Sequence, residues 1–148
     1  MADRLLNEGI VSQVQEVFAQ LNHPVEVLFF GSKSDCDYCQ DTLQLVEELV
    51  EISGKLHLQT FDIDEDAAVA KQYNVDKVPG LVIAGRDGDK ILDYGVRLAG
   101  IPSGHEFSSL IQDMILVSNR DSGLDSDTRE FLGGLTQPVL LQVFVTPT

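Results

Sequence analysis

At 148 residues and 43% hydrophobic, with a formal net charge of −14, the chain is long enough for one well-cored domain and short for two. The charge has the wrong sign for nucleic acid or an anionic membrane surface, both of which bind basic proteins. No apolar run approaches the roughly 18 residues of a membrane span. Met1–Glu8 shows no basic stretch followed by an apolar one, so a cytoplasmic protein is the expectation.

In chain order, Leu6, Ile10, Val14, Val17, Phe18 and Leu21 recur at steps of three and four, predicting an amphipathic helix that ends at Asn22-His23-Pro24. Val25–Phe30 is almost continuously apolar, as a strand buried on both faces must be; Glu26, its one charge, is expected at a strand end. Gly31 to Asp35 form a polar loop into Cys36-Asp37-Tyr38-Cys39. Leu43, Val46, Leu49 and Val50 then keep helical spacing up to Gly54, a natural stop. Leu56–Phe61 alternates as a strand does. The acids of Asp62-Ile63-Asp64-Glu65-Asp66 suit the start of a helix over Ala67–Tyr73, where its dipole favours negative charge.

Leu81–Ala84 and Ile91–Val96 are predicted strands joined by a hairpin turn containing Asp87-Gly88. Ser103-Gly104-His105-Glu106 reads as a capping box. It opens a helix carrying Phe107, Leu110, Ile111, Met114 and Ile115 and ending near Ser118. This order predicts an α/β fold, a mixed four-stranded sheet covered by helices on both faces and complete by residue 118.

Beyond it, Asn119–Asp125 is a polar linker, and Asp127-Thr128-Arg129-Glu130 starts a short helix closed by Gly133-Gly134. Gln137-Pro138-Val139-Leu140-Leu141-Gln142-Val143-Phe144-Val145 then echoes His23-Pro24-Val25-Glu26-Val27-Leu28-Phe29-Phe30. One reading divides the chain into a domain at 1–118 and, at 119–148, the linker, helix and strand that begin a second unit. The other makes the last segment one more strand of a single domain. An exposed apolar strand associates, so Val139–Val145 is expected to pair on a sheet edge or in a dimer contact.

Cys36 and Cys39 are the only two cysteines. Spaced by two residues, after a buried strand and at the start of a helix, their thiols fall within bonding reach where free N–H groups favour a thiolate. A redox dithiol, a pair of metal or cluster ligands, and an inert bridge or two quiet thiols are the open readings. A closed zinc site needs four ligands, and only His23, His57 and His105 could add to the cysteines from scattered positions. No metal site is therefore expected, although a cluster bridging two chains needs only the C-x-x-C and external thiols. Lys33 favours a Cys36 thiolate; Asp35 and Asp37 oppose it.

The C-x-x-C after a buried strand, Phe61-Asp62-Ile63-Asp64 before a helix ending Gln72-Tyr73-Asn74-Val75, and Val78-Pro79 before the next strand together resemble the thioredoxin fold over residues 24–118. The N-terminal helix, Tyr38 and Gly100-Ile101-Pro102-Ser103-Gly104-His105-Glu106-Phe107 are similar to the glutaredoxin-like protein disulfide oxidoreductases, which hold two such units in tandem. The resemblance implies a thiol–disulfide oxidoreductase without a cofactor, in which Cys36 attacks and Cys39 resolves. It also implies a cis Pro79 facing the dithiol, with the Val78 backbone and Tyr38 contacting substrate. Protein disulfides or dithiols would be the substrates, and a thioredoxin-reductase-like protein the electron donor. Some residues depart from the pattern. Asp35 stands where thioredoxins usually carry Trp, Asp37-Tyr38 replaces Gly-Pro, Gly80 follows the loop proline where Thr is common, and Phe29-Phe30 occupies the neighbourhood of a buried acid. Ala99–Gly104 lacks the acid of a glutathione site, which argues against glutathione as the dedicated substrate. A non-catalytic docking module and a cluster-bridging dimer are the competing readings.

Overall fold

The computed structural model describes residues 3–146. Its elements are α1 (Glu8–Phe18), β1 (Val25–Gly31), α2 (Cys39–Val50), β2 (Leu56–Asp62), α3 (Ala67–Gln72), β3 (Gly80–Asp87), β4 (Lys90–Ala99), α4 (His105–Asn119) and α5 (Ser126–Gly133). The strands form one sheet in the order β2-β1-β3-β4, with β1 parallel to β2 and the other pairs antiparallel. This is the mixed four-stranded α/β architecture that the order of elements predicts. Among the described residues, no helix is long and apolar enough to cross a membrane.

Alternation along β1 builds two cores. Val25, Val27 and Phe29 face α1, α2 and α4, where they join Phe18, Val46, Leu49, Leu110 and Met114. Leu28 and Phe30 face α3 with Val82, Ala84 and Ala70, and the Phe61 ring stacks on Phe30 at 5.2 Å between centroids. A side chain of this size contributes about 1.5–3 kcal/mol when fully buried. The central strand therefore carries much of the stability.

Polar groups tie the outer pieces to this core. Ser118, buried near the end of α4, accepts from the Asn22 N–H and donates to the His23 carbonyl, both at 2.7 Å, and so holds the turn into β1. The Glu48 carboxylate on α2 accepts from the Leu5 and Leu6 N–H groups, each at 2.9 Å, and from Gln44. Burial pushes the Glu48 pKa up, but the bonds from Gln44, Leu5 and Leu6 and the nearby Arg4 outweigh it and hold the carboxyl below its ordinary value.

Five expectations are corrected. α1 stops at Phe18, before Asn22-His23-Pro24, while Leu21 still reaches the core from the connection. Glu26 is not at a strand end: it is the second residue of β1, 2% exposed, accepting from Gln59 at 2.8 Å and paired with Arg86 at 3.4 Å. α2 begins at Cys39, so Cys36 lies in the turn before the helix. The capping box does not form, because the N-cap is Gly104, at φ 61°, which puts Glu106 at the second helical position instead of the third. Lastly, Val139–Val145 forms no strand; the segment stays outside the sheet, with Leu141 86% and Phe144 88% exposed. A strand with no ladder partner does not recover the entropy of ordering its backbone.

Gly80 opens β3 because nothing larger fits. A Cβ there would stand 2.7 Å from the Lys77 carbonyl oxygen and 2.9 Å from Val75 Cγ1. Gly80→Ala is expected to destabilise the chain by about 1–3 kcal/mol through overpacking, and an unchanged melting temperature would refute that account. Glu48→Gln is expected to lose about 1–3 kcal/mol at neutral pH. Because the folded Glu48 pKa is depressed, its contribution is complete above the unfolded carboxyl range and disappears as pH falls through the folded value. Urea titrations of both chains should therefore show a gap at pH 7 that narrows in acid.

Candidate functional site

The site forms where the C-terminal end of β1 meets the N-terminal end of β3. Phe30 pairs with Gly80, so Gly31 and the loop it starts lie beside Pro79. The Val78–Pro79 peptide is cis, and the Pro79 carbonyl accepts from the Gly100 N–H at 2.8 Å, which brings the end of β4 alongside.

Cys36 and Cys39 are joined as a disulfide with Cα atoms 5.4 Å apart, inside the usual span for such a bridge. Their burial differs. Cys39, the first residue of α2, is 8% exposed and belongs to the core beneath the sheet, while Cys36 is half-buried and reaches that core only in part. Space for the inner sulfur comes from Gly31, where an added Cβ would lie 3.5 Å from Cys39 Sγ and 2.8 Å from the Phe29 ring. The fully buried Thr42 fastens the start of the helix: its N–H and hydroxyl both donate to the Tyr38 carbonyl, at 3.0 and 2.7 Å. Because the sulfurs are bonded to each other, both sit at the N-terminal end of α2, where unpaired N–H groups and the helix dipole favour negative charge.

Around the disulfide, Tyr38 is 58% exposed, Asp35 and Asp37 are exposed, Val78 is half-buried against the core and Pro79 is buried. Cys36, Cys39 and Val78 pack against the same core. Lys33 lies in the loop before Cys36, and its charge is committed: Nζ meets both Glu65 oxygens at 2.7 Å, and its pKa is raised chiefly by the hydrogen bond to Glu65. The three histidines do not gather here. Among the described residues, no three His, Cys, Asp or Glu side chains converge as a metal site would require.

One brace of this site is invisible in the sequence. Asp62 accepts from the N–H groups of Asp64 at 2.9 Å, Glu65 at 3.1 Å and, across the gap between loops, Lys33 at 3.2 Å. Its pKa is lowered first by the Glu65 N–H and then by that of Asp64. With the Ile63 N–H donating to the Gly31 carbonyl at 2.9 Å, these bonds fasten the β2–α3 loop to the loop before Cys36. A cluster of acids before a helix carries no sign that one of them holds another loop. In the sequence Gly80 is only a departure from a pattern; the Lys77 carbonyl explains it.

Comparison with known proteins agrees with this geometry. A protein disulfide oxidoreductase from Aeropyrum pernix superimposes with a TM-score of 0.77 at 30% identity, over 91% of this chain and 56% of that one. The NTD_N/C domain of alkylhydroperoxide reductase AhpF from Enterococcus faecalis gives 0.74 at 26% identity, over 84% and 58%. Among curated proteins, the F subunit of alkyl hydroperoxide reductase in Pseudomonas aeruginosa is 28% identical over 131 residues, covering 88% of this chain and 22% of that protein. An NADH dehydrogenase of Bacillus subtilis is 27% identical over 121 residues, covering 82% and 20%. The chain thus spans about one-fifth of the length of these curated relatives. Residues 24–112 match the profile of the thioredoxin domain family, which takes in the whole sheet, the Cys36–Cys39 disulfide and the cis-proline loop, and the chain belongs to that family.

Proposed function

We propose that this domain exchanges the Cys36–Cys39 disulfide with protein dithiols and disulfides through a mixed disulfide. The observation that carries the reading is the difference in burial between the two bonded cysteines, Cys39 at the start of α2 and Cys36 in the turn before it. In the oxidising direction a substrate thiolate attacks Cys36 Sγ, the bridge breaks, and Cys39 leaves as a thiolate favoured by the helix N-terminus. The substrate's second thiolate then displaces Cys36. In the reducing direction the Cys36 thiolate attacks the substrate and Cys39 resolves, protected from competing reagents by its burial. Tyr38 offers an exposed aromatic surface to the incoming chain, and Val78 its backbone. Asp35 and Asp37 oppose the Cys36 thiolate, and Lys33, neutralised by Glu65, offsets them little.

The domain works in this reading as one unit of a larger redox protein of the glutaredoxin-like disulfide oxidoreductase kind, inside the cell, with electrons delivered by a reductase. The relatives named as F subunits of alkyl hydroperoxide reductase support a reductase-type donor. In the same reading residues 119–148 belong to a second unit, which is supported by α5 having no buried residue and by the exposure of Val139–Val145.

In an insulin-reduction assay with dithiothreitol, Cys36→Ser is expected to lose activity at least a hundredfold, while Cys39→Ser accumulates a mixed disulfide detectable by mass spectrometry. Activity unchanged in Cys36→Ser would sink the reading. Deleting residues 126–148 is expected to leave the melting temperature of the rest within about 2 °C, since a shift of about 1 kcal/mol moves it by roughly 2–8 °C. A larger fall would show that this segment belongs to the first domain after all.

A further inference from the structure

The face around the disulfide is acidic in a particular way. Asp35 and Asp37 flank Cys36, Asp41 lies in the first turn of α2, and Asp64 lies in the loop that Asp62 fastens to Lys33. All four are exposed. The loop before Cys36 and the loop before Pro79 carry one lysine each, and both are engaged: Lys33 with Glu65 at 2.7 Å and Lys77 with Asp76 at 2.9 Å. Among the described residues, no ion pair takes up Asp35, Asp37, Asp41 or Asp64. The residues between and beside these acids are uncharged: the disulfide, the exposed Tyr38 ring, and Val78, which packs against the same core as Cys36, with the cis Pro79 after it. An aromatic centre inside a charged rim is the anatomy of a protein-recognition surface. Here the rim has one sign, and its own cations are spent.

We propose that the protein segment exchanging disulfides at Cys36 carries lysines or arginines flanking its own cysteine. This rests on the redox reading above and narrows its partner. Charges on the loops of the attacking sulfur dominate, because at physiological ionic strength the field of more distant ones is screened over about 8 Å. Basic flanks also lower the pKa of the partner's cysteine, which makes it a better leaving group. The step is balanced. The Cys36 thiolate attacks one sulfur of the partner's disulfide, whose S–S bond breaks with the electron pair on the other sulfur. The Cys39 thiolate then attacks Cys36 Sγ, closing the bridge and releasing the second partner thiolate, so the partner gains the two electrons that the dithiol loses.

The test uses the full chain, reduced beforehand, and three synthetic peptides. Each holds one cysteine disulfide-linked to 2-mercaptoethanol and flanked on both sides by Lys-Lys, Ser-Ser or Glu-Glu. Each initial rate is divided by that of the same peptide with dithiothreitol, which removes the intrinsic effect of its thiol pKa. At low ionic strength, the normalised rate for the lysine peptide should exceed that for the glutamate peptide by about tenfold or more. The ratio should contract below about twofold in 1 M salt, where the screening length is roughly 3 Å. A variant with Asp35→Asn, Asp37→Asn, Asp41→Asn and Asp64→Asn should lose most of that ratio. One with Glu16→Gln, Asp87→Asn, Asp89→Asn and Glu130→Gln should keep it. No ratio at low salt, or a ratio lost equally in both variants, overturns the proposal while leaving the redox reading intact. Failure to consume even the serine peptide, or equal consumption by Cys36→Ser, overturns the redox reading and this inference with it.

Discussion

The antiparallel register of β1 against β3 is the constraint on which the site depends. Pairing Phe30 with Gly80 brings the exit of one strand to the entrance of the other, so the loop that leads to Cys36 starts beside the residue that follows Pro79. Both junction residues are glycines, and at Gly80 backbone leaves no room for anything else. The Phe29 ring crowds Gly31, and the Lys77 carbonyl crowds Gly80. A side chain at Gly80 would displace the Lys77 backbone in the loop that carries Pro79, and one at Gly31 would press on the Phe29 ring beside Cys39 Sγ. Shifting a strand by one residue would turn Phe29 and Phe30 to opposite sides, exchanging the two cores, so the register is held by packing along the whole strand as well as by the turn at its end.

Much of this is legible in the residues, for a physical reason. Patterns set by neighbours along the chain survive in sequence: the helical spacing of α1, α2 and α4, the continuous apolar run of β1, and the C-x-x-C with Val78-Pro79 further on. What the residues do not disclose depends on partners far away. Glu26 looks like an end-of-strand charge because a buried acid is expensive when unpaired. Its partners, Gln59 and Arg86, come from β2 and β3, and no local pattern announces them. Asp62 and Lys33 are a similar case, joined only once β1 and β2 lie side by side. The capping box fails for a different reason. Gly104 takes a positive φ, which moves the helix start by one residue and takes the Ser–Glu pair out of register.

The excess of acid is absorbed without a matching set of cations. Asp62 and Asp121 are held in ionised form mainly by backbone N–H groups, as is Asp125, which caps α5 by accepting from the Thr128 N–H. Asp93 leans first on a guanidinium, that of Arg97, which also reaches the Tyr73 carbonyl and so joins the irregular stretch of β4 to the end of α3. Many of the carboxylates thus serve as acceptors for loop backbone, which lets the chain keep a high negative charge and still order its loops. The acids of the disulfide face that do not serve this way, Asp35 and Asp37 among them, stand out for that reason.

The last stretch follows a different rule from the rest. Val25–Phe30 is buried throughout between two layers, whereas Val139–Val145, with the same Pro-Val entry, is exposed along its length. From Phe131 to Thr148 there is no charged residue, although acids are abundant before it. Solvent-facing segments of an acidic protein ordinarily carry the charge that keeps them apart, and an uncharged apolar run of this length is the kind that associates. Its composition is that of an interior strand. β1 has helices on both of its faces to cover such a sequence, and among the described residues Val139–Val145 has none.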